Sequence, residues 1–225
     1  MSRVQGVAFF DVDETLVSVR TLESFLLHYL SLVPSMISQD ELRDLAQQVV
    51  RLDRSEFNRL YFGIWAGQPA AQVAEAGRSW YAQASSKPGF YRPNVLELLR
   101  EHQQSGDHVV LVSGSFVGPL RPLADDLAVE DLYCTGLEVV DGRYTGTISR
   151  PMIGDDKRRT VEAYLSALGT DTESWGYGDH SSDLPLLEGV DHPVVVGSDP
   201  YMLQVAHERG WPVMAIDAPL APRGS

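Results

Sequence analysis

Two carboxylates separated by one residue follow an apolar run in Phe9-Phe10-Asp11-Val12-Asp13-Glu14-Thr15-Leu16. In a turn just past a strand, that spacing aims both acids at one ligand. Acidic residues after a strand also cap helices, so this pair alone says little. A second apolar run, Val109 to Val112, gives way to Ser113-Gly114-Ser115. There a hydroxyl and freely oriented N–H groups could hold phosphoryl oxygens, with Gly114 allowing close backbone approach, although such a stretch is more often a plain turn. A third run ends at Gly178-Asp179-His180-Ser181-Ser182-Asp183. Asp183 falls near a helix start, where capping would explain it, whereas Asp179 has no such explanation.

Charge limits what these groups can bind. With 18 basic and 31 acidic residues, the formal net charge of -13 repels nucleic acid and anionic membrane over most of the surface. An anionic substrate must then be caught by local positive charge: a bound cation, a well-placed Lys, or exposed backbone N–H groups. The single cysteine, Cys134, excludes an intramolecular disulfide and reads as a small buried apolar residue. No apolar run approaches the roughly 20 residues that cross a bilayer. Val7-Ala8-Phe9-Phe10 is too short for a leader core, so a cytoplasmic protein is expected.

The elements that must position these groups alternate between strand-like and helix-like, the pattern of a parallel sheet covered on both faces. Strands are expected at Val4–Phe10, Val109–Val112, Glu173–Tyr177, Pro193–Val196 and Trp211–Ile216, with a helix at Asn94–Gln104. In such sheets functional residues gather where strands end. Leu137–Val140 and Arg143–Ile148 flank Asp141-Gly142 and predict a hairpin with a type I′ turn, read as decoration. From Val17 to Lys87 the periodicity is helical, with one stripe at Phe25, Leu26, Tyr29 and Leu30 and another at Leu42, Leu45, Val49 and Leu52. Ser85-Ser86-Lys87-Pro88-Gly89 marks the exit from this insertion, and residues 219–225 read as a flexible tail.

The order DxDxT, SGS, a Lys-bearing helix start and GDxxxD, each at a strand end, resembles the haloacid dehalogenase superfamily, in particular its phosphoserine phosphatase-like branch. The resemblance covers about residues 4 to 216, with strong motifs and a loosely matched helical insertion. It implies an α/β fold: a Rossmann-like parallel core from residues 1–16 and 88–218, and an all-helical cap, residues 17–87, that closes over substrate. It further implies a Mg2+-dependent phosphatase acting on a small phosphorylated metabolite, and leaves oligomeric state open. Asp11 would be the nucleophile and Asp13 the acid and base for the leaving alcohol and the attacking water. Asp11, Asp179, Asp183 and the backbone carbonyl of Asp13 would hold the metal. Ser113, the Gly114 N–H and Lys157 would bind phosphoryl oxygens, with Thr15 and Arg20 also on the substrate side. Arg158 and Arg159 adjoin Lys157, so the phosphate-binding cation could stand one or two residues along.

Asp13 also sorts the activities within the resemblance. Dehalogenases generally lack an acid two residues after the nucleophile, and mutase relatives often carry Gly where this chain has Thr15. Phosphoserine phosphatases carry a Glu nine residues after the nucleophile that pairs with the substrate ammonium, whereas this chain has Arg20 there. That change disfavours an amine and suits a carboxylate or second phosphate, unless Arg20 is simply a solvated residue at a helix start. His180 and Ser182 also depart from the family's Gly-Asp-Gly-Ala-Asn-Asp. Within the insertion, Glu23, Arg59, Tyr61 and Trp65 are conceivable substrate contacts, most of them expected to be packing or surface residues. The competing readings are a phosphotransferase or mutase, and a catalytically silent binding protein.

Overall fold

A computed structural model describes residues 6–48, 51–52, 54–169 and 172–216. The first strand, β1 (Gly6–Phe10), is buried throughout. Its alternation divides the interior in two. Val7 and Phe9 join one apolar cluster and Ala8 and Phe10 the other, because successive strand side chains point to opposite faces.

The chain then leaves the sheet for four helices: α1 (Thr21–Leu32), α2 (Gln39–Gln48), α3 (Arg54–Gly63) and α4 (Ala70–Ser85). It returns through α5 (Pro93–Ser105), which starts with a Pro in its first turn and stops at Gly106 in the left-handed conformation. Next come β2 (His108–Phe116), α6 (Val117–Asp126), β3 (Asp131–Val140) and β4 (Arg143–Arg150). The remainder is α7 (Asp155–Leu168), β5 (Glu173–Gly178), a 3-10 turn at Ser181–Asp183, α8 (Leu184–Leu187), β6 (His192–Val196), α9 (Pro200–Arg209) and β7 (Val213–Met214).

Among the described residues the strand order is β4-β3-β2-β1-β5-β6-β7, parallel except for the β3–β4 pair. Since β1 lies between β2 and β5, the chain winds outward from it in both directions. The carboxyl ends of these three strands therefore border the crevice where such sheets bind ligands. One face is covered by α7, α8 and α9 through Val161, Leu186, Leu187, Met202 and Ala206. On the opposite face, α5 and α6 share a single cluster with α1, α3 and α4.

Aromatic side chains fasten these last helices to the sheet. Phe25 of α1 stacks on Trp65 at 5.4 Å, and Phe116 at the end of β2 lies 5.1 Å from Trp65 and 5.8 Å from both Phe25 and Phe62. Helix α2 buries none of its residues, so the expected stripe at Leu42 and Leu45 is only half-buried. Val49 of that stripe lies outside the described residues, as do Val4 and the tail at 219–225.

Three expectations are corrected. The final strand shrinks to Val213–Met214. Strand β3 begins at Asp131, pairing with β2 before it enters the hairpin, whose Asp141 (φ 50) and Gly142 (φ 74) suit a type I′ turn. Far from decoration, the hairpin is bonded to the helical insertion. Gly67 N–H donates to the Tyr144 carbonyl at 2.7 Å, Tyr144 N–H to the Gln68 carbonyl at 3.0 Å, and Ala70 N–H to the Gly142 carbonyl at 2.9 Å.

Candidate active site

Asp11 is the first residue beyond β1, and its N–H donates to the Tyr177 carbonyl of β5 at 2.9 Å. The sheet ladder thus carries the carboxylate to the crevice. Asp179 follows β5 directly, and Asp183 is delivered by the 3-10 turn. That approach needs Gly178, because a Cβ there would stand 2.6 Å from Asp183 Cβ. Oxygens of Asp11, Asp179 and Asp183 all lie within 4.8 Å of one another.

Lys157 closes the group from α7, with Nζ donating to Asp11 Oδ1 at 2.6 Å and to Asp183 Oδ1 at 2.7 Å. Burial works against its charge, but the two carboxylates outweigh that and hold the ammonium more firmly protonated than usual. Arg158 faces Glu162 and Glu188, and Arg159 pairs with Asp156, so Lys157 alone of the three neighbouring cations meets the acids. Asp183 divides its oxygens: Oδ1 takes Lys157, and Oδ2 takes the His180 N–H at 3.1 Å within the 3-10 turn. It makes no side-chain cap to α8. Asp179 accepts the Thr15 hydroxyl at 2.8 Å. Burial first, then the charges of Asp11 and Asp183, push the Asp179 carboxyl up to about 8.

Asp13 stands apart from that cluster. Its Oδ2 accepts the Thr21 N–H at the start of α1 at 3.0 Å, while Oδ1 is buried without a hydrogen-bond partner among the described residues. Burial and the Asp11 charge push its carboxyl up to about 7, near neutrality where a group can both give and take a proton. Thr21, which the sequence reading passed over, also donates its hydroxyl to Ser115 Oγ at 2.8 Å. One residue thereby ties the acid to the Ser113-Gly114-Ser115 segment. Strand β2 continues through this segment, but Gly114 and Ser115 fall out of register between Ser113 and Phe116. Ser113 Oγ accepts the Ser115 N–H at 3.1 Å, and the Gly114 carbonyl accepts the Thr135 hydroxyl at 2.8 Å. The bulge turns this backbone out of the ladder.

Other candidates are placed differently. Arg20 stands at the position just before α1 without a side-chain capping bond, pairs with Glu14 at 2.7 Å and is largely exposed. His180 is also exposed, its ring nitrogen accepting the Ser182 N–H at 3.1 Å. Tyr61 and Trp65 belong to the aromatic core, and Tyr61 donates its hydroxyl to the Leu22 carbonyl at 2.6 Å.

The family model for haloacid dehalogenase-like hydrolases matches residues 8–188, which hold every acid above. The chain belongs to this family. A histidinol-phosphatase from Neisseria meningitidis serogroup C (strain 8013) is 26% identical, over 94% of this chain and 99% of its own. A solved protein of unknown function from Bordetella pertussis Tohama I is 26% identical with a TM-score of 0.82, covering 95% of this chain and 99% of that one. A phosphoserine phosphatase solved as a phospho-aspartyl intermediate analogue has a TM-score of 0.68 over 95% of this chain and 94% of that one. At 16% identity that likeness shows the fold alone.

Phosphatases of the haloacid dehalogenase-like family use a metal ion, and the donor set here fits one. Three carboxylates within 4.8 Å of one another offer only oxygen, as a small hard cation requires. Among the described residues no helix is long and apolar enough to cross a membrane.

Proposed function

We propose that this phosphoric monoester hydrolase cleaves a small phosphorylated metabolite in the cytoplasm through an aspartyl-phosphate on Asp11, with Mg2+ as its cation. The observation that carries this reading is the meeting of Asp11, Asp179, Asp183 and Lys157 at one point, beside an acid with one unpaired buried oxygen.

An Asp11 oxygen attacks phosphorus and the bond to the leaving alcohol breaks, while Asp13 gives that alcohol its proton. Asp13 then takes a proton from the water that attacks the phosphoryl group, and the bond to Asp11 breaks to release phosphate. Lys157, Ser113 and the Gly114 N–H hold the phosphoryl oxygens. Asp11, Asp179, Asp183 and the Asp13 carbonyl would hold Mg2+, which when bound neutralises charge on the carboxylates and on the transferring group. Thr15 acts on Asp179 and fixes its orientation. Residues 17–87 serve as a specificity cap over a core of residues 1–16 and 88–218.

The test is phosphate release by the purified chain from amino acid, sugar, polyol and nucleotide monoesters, with Mg2+ and then with excess chelator. Turnover that needs Mg2+ and vanishes in Asp11→Asn is expected. Turnover indifferent to chelator, or persistence of activity in pure Asp11→Asn, would overturn the reading.

A further inference from the structure

Thr21 opens α1 but does not spend its hydroxyl on that helix. Arg20 before it makes no side-chain capping bond, and the Thr21 hydroxyl reaches Ser115 Oγ at 2.8 Å, 94 residues away along the chain. A threonine serving only a helix start would turn its oxygen to a local N–H. Both side chains are buried, where a hydrogen bond is stronger and a missing partner costlier than in water.

Three bonds in series run from the proposed acid to the proposed phosphate-binding serine. Thr21 N–H donates to Asp13 Oδ2 at 3.0 Å, the Thr21 hydroxyl donates to Ser115 Oγ, and Ser115 N–H donates to Ser113 Oγ at 3.1 Å. Each end keeps the atom the chemistry needs. Asp13 Oδ1 is buried with no bond to any described residue, and Ser113, accepting at its oxygen, retains its own proton for a phosphoryl oxygen. Docking of α1 is carried by other contacts: Phe25, one turn along the helix, lies 5.8 Å from Phe116, the residue after Ser115, inside the shared aromatic cluster. The hydroxyl adds alignment to a contact that packing already secures.

We infer that Thr21 is a positioning residue for the proposed reaction: through its bond to Ser115 it holds Asp13 and Ser113 at a fixed separation, so that the acid meets the leaving oxygen while the phosphoryl group rests on the serine. The inference rests on the phosphatase reading and deepens it. Holding phosphate calls only on the Ser113 end, whereas protonating the leaving group needs both ends aligned, and a misplacement of about 1 Å is enough to lower a rate steeply.

Phenyl phosphate and p-nitrophenyl phosphate, assayed with Mg2+, provide the test, because phenolate is the more basic leaving group and draws more on the acid's proton. Thr21→Val keeps the shape and the N–H to Asp13 while deleting the bond to Ser115. It should lower kcat/KM for phenyl phosphate about 3- to 10-fold more than for p-nitrophenyl phosphate, the loss given by one neutral hydrogen bond, with inhibition by inorganic phosphate little changed. Thr21→Ser should restore the parent ratio, and Ser31→Ala, which removes an exposed hydroxyl from the same helix, should leave it alone. Ser115→Ala deletes the other end of the bond and should give the same fall, with no further fall in the double variant; it decides the matter should Thr21→Val not fold. Equal losses on both esters, or losses that add in the double variant, would show a role in the fold alone and overturn the inference. So would a parent enzyme that turns over p-nitrophenyl phosphate but not phenyl phosphate, a result that leaves the phosphatase reading standing. Turnover of neither ester by the parent removes both.

Discussion

At the scale of single residues, the site depends on which groups are held and which are left with spare valence. Lys157 is committed twice over, to Asp11 and Asp183, and anchors the carboxylate of the proposed nucleophile from one side. Asp13 is the opposite case: one oxygen holds the α1 N-terminus through Thr21, and the other is buried with no bond to any described residue. An asparagine there would keep the bond to Thr21 and the shape, but could neither give nor take a proton. Asp13→Asn should therefore lower kcat about 10²- to 10⁴-fold, slowing both formation and decay of the phosphorylated enzyme. Pre-steady-state kinetics would show this, and a loss confined to one step would contradict the dual role. Of these residues Asp11, Asp13 and Asp179 stood out as candidates by position, each just past an apolar strand, but only their order with the other motifs pointed to one site. The choice of Lys157 over Arg158 and Arg159 was not, because it turns on which face of α7 meets the crevice. Thr21 was missed because a hydroxyl residue at a helix start reads as ordinary capping chemistry.

At the scale of elements, α4 and α6 approach so closely that their backbones nearly touch. A Cβ on Gly77 would stand 2.0 Å from the Gly118 carbonyl, and one on Gly118 would stand 2.9 Å from the Phe116 ring. Gly77→Ala must push the helices apart and should cost about 1–3 kcal/mol by chemical denaturation, in the range of overpacked cores. Gly63→Ala on α3 meets nothing within 4 Å and should gain about 0.5–1 kcal/mol by the same measurement. Equal effects of the two substitutions would refute this account of the α4–α6 junction. The same junction explains what the sequence concealed. Helix α6 carries Gly118, Pro119 and Pro122, residues that punctuate rather than propagate helices, and it forms because packing on α4 and the sheet overrides that preference. The first half of β3, Asp131 to Gly136, mixes polar and apolar residues without a β-rich run, and takes strand form from its pairing with β2. By contrast β1, β5 and the hairpin turn were legible, because apolar runs and an Asp-Gly pair state their own geometry.

At the scale of the whole molecule, the helical insertion and the sheet share one interior. Phe25, Phe62 and Trp65 surround Phe116, the last residue of β2, so α1, α3 and α4 have no separate core to retain once the sheet is lost. Tryptophans report on both parts: Trp65 and Trp80 in the insertion, Trp175 and Trp211 elsewhere. Denaturant unfolding followed by tryptophan fluorescence and by far-UV circular dichroism should give coincident single transitions. Two separated transitions would show the parts to be independent. This packing also bears on how a cap could close. Helix α1 packs on α6 and β2 and α4 packs on α6, whereas α2 buries no side chain, so of these three helices α2 is the one least tied to the core of the proposed cap.

The proposed reaction has Asp11 as the group that receives the phosphoryl moiety. The most direct measurement is a rapid acid quench during turnover of a phosphate-labelled monoester with Mg2+, followed by mapping of the labelled peptide. The account predicts acid-stable, alkali-labile label on the peptide containing Asp11, and none in Asp11→Asn. Label on any other residue, or full turnover by Asp11→Asn, would contradict it.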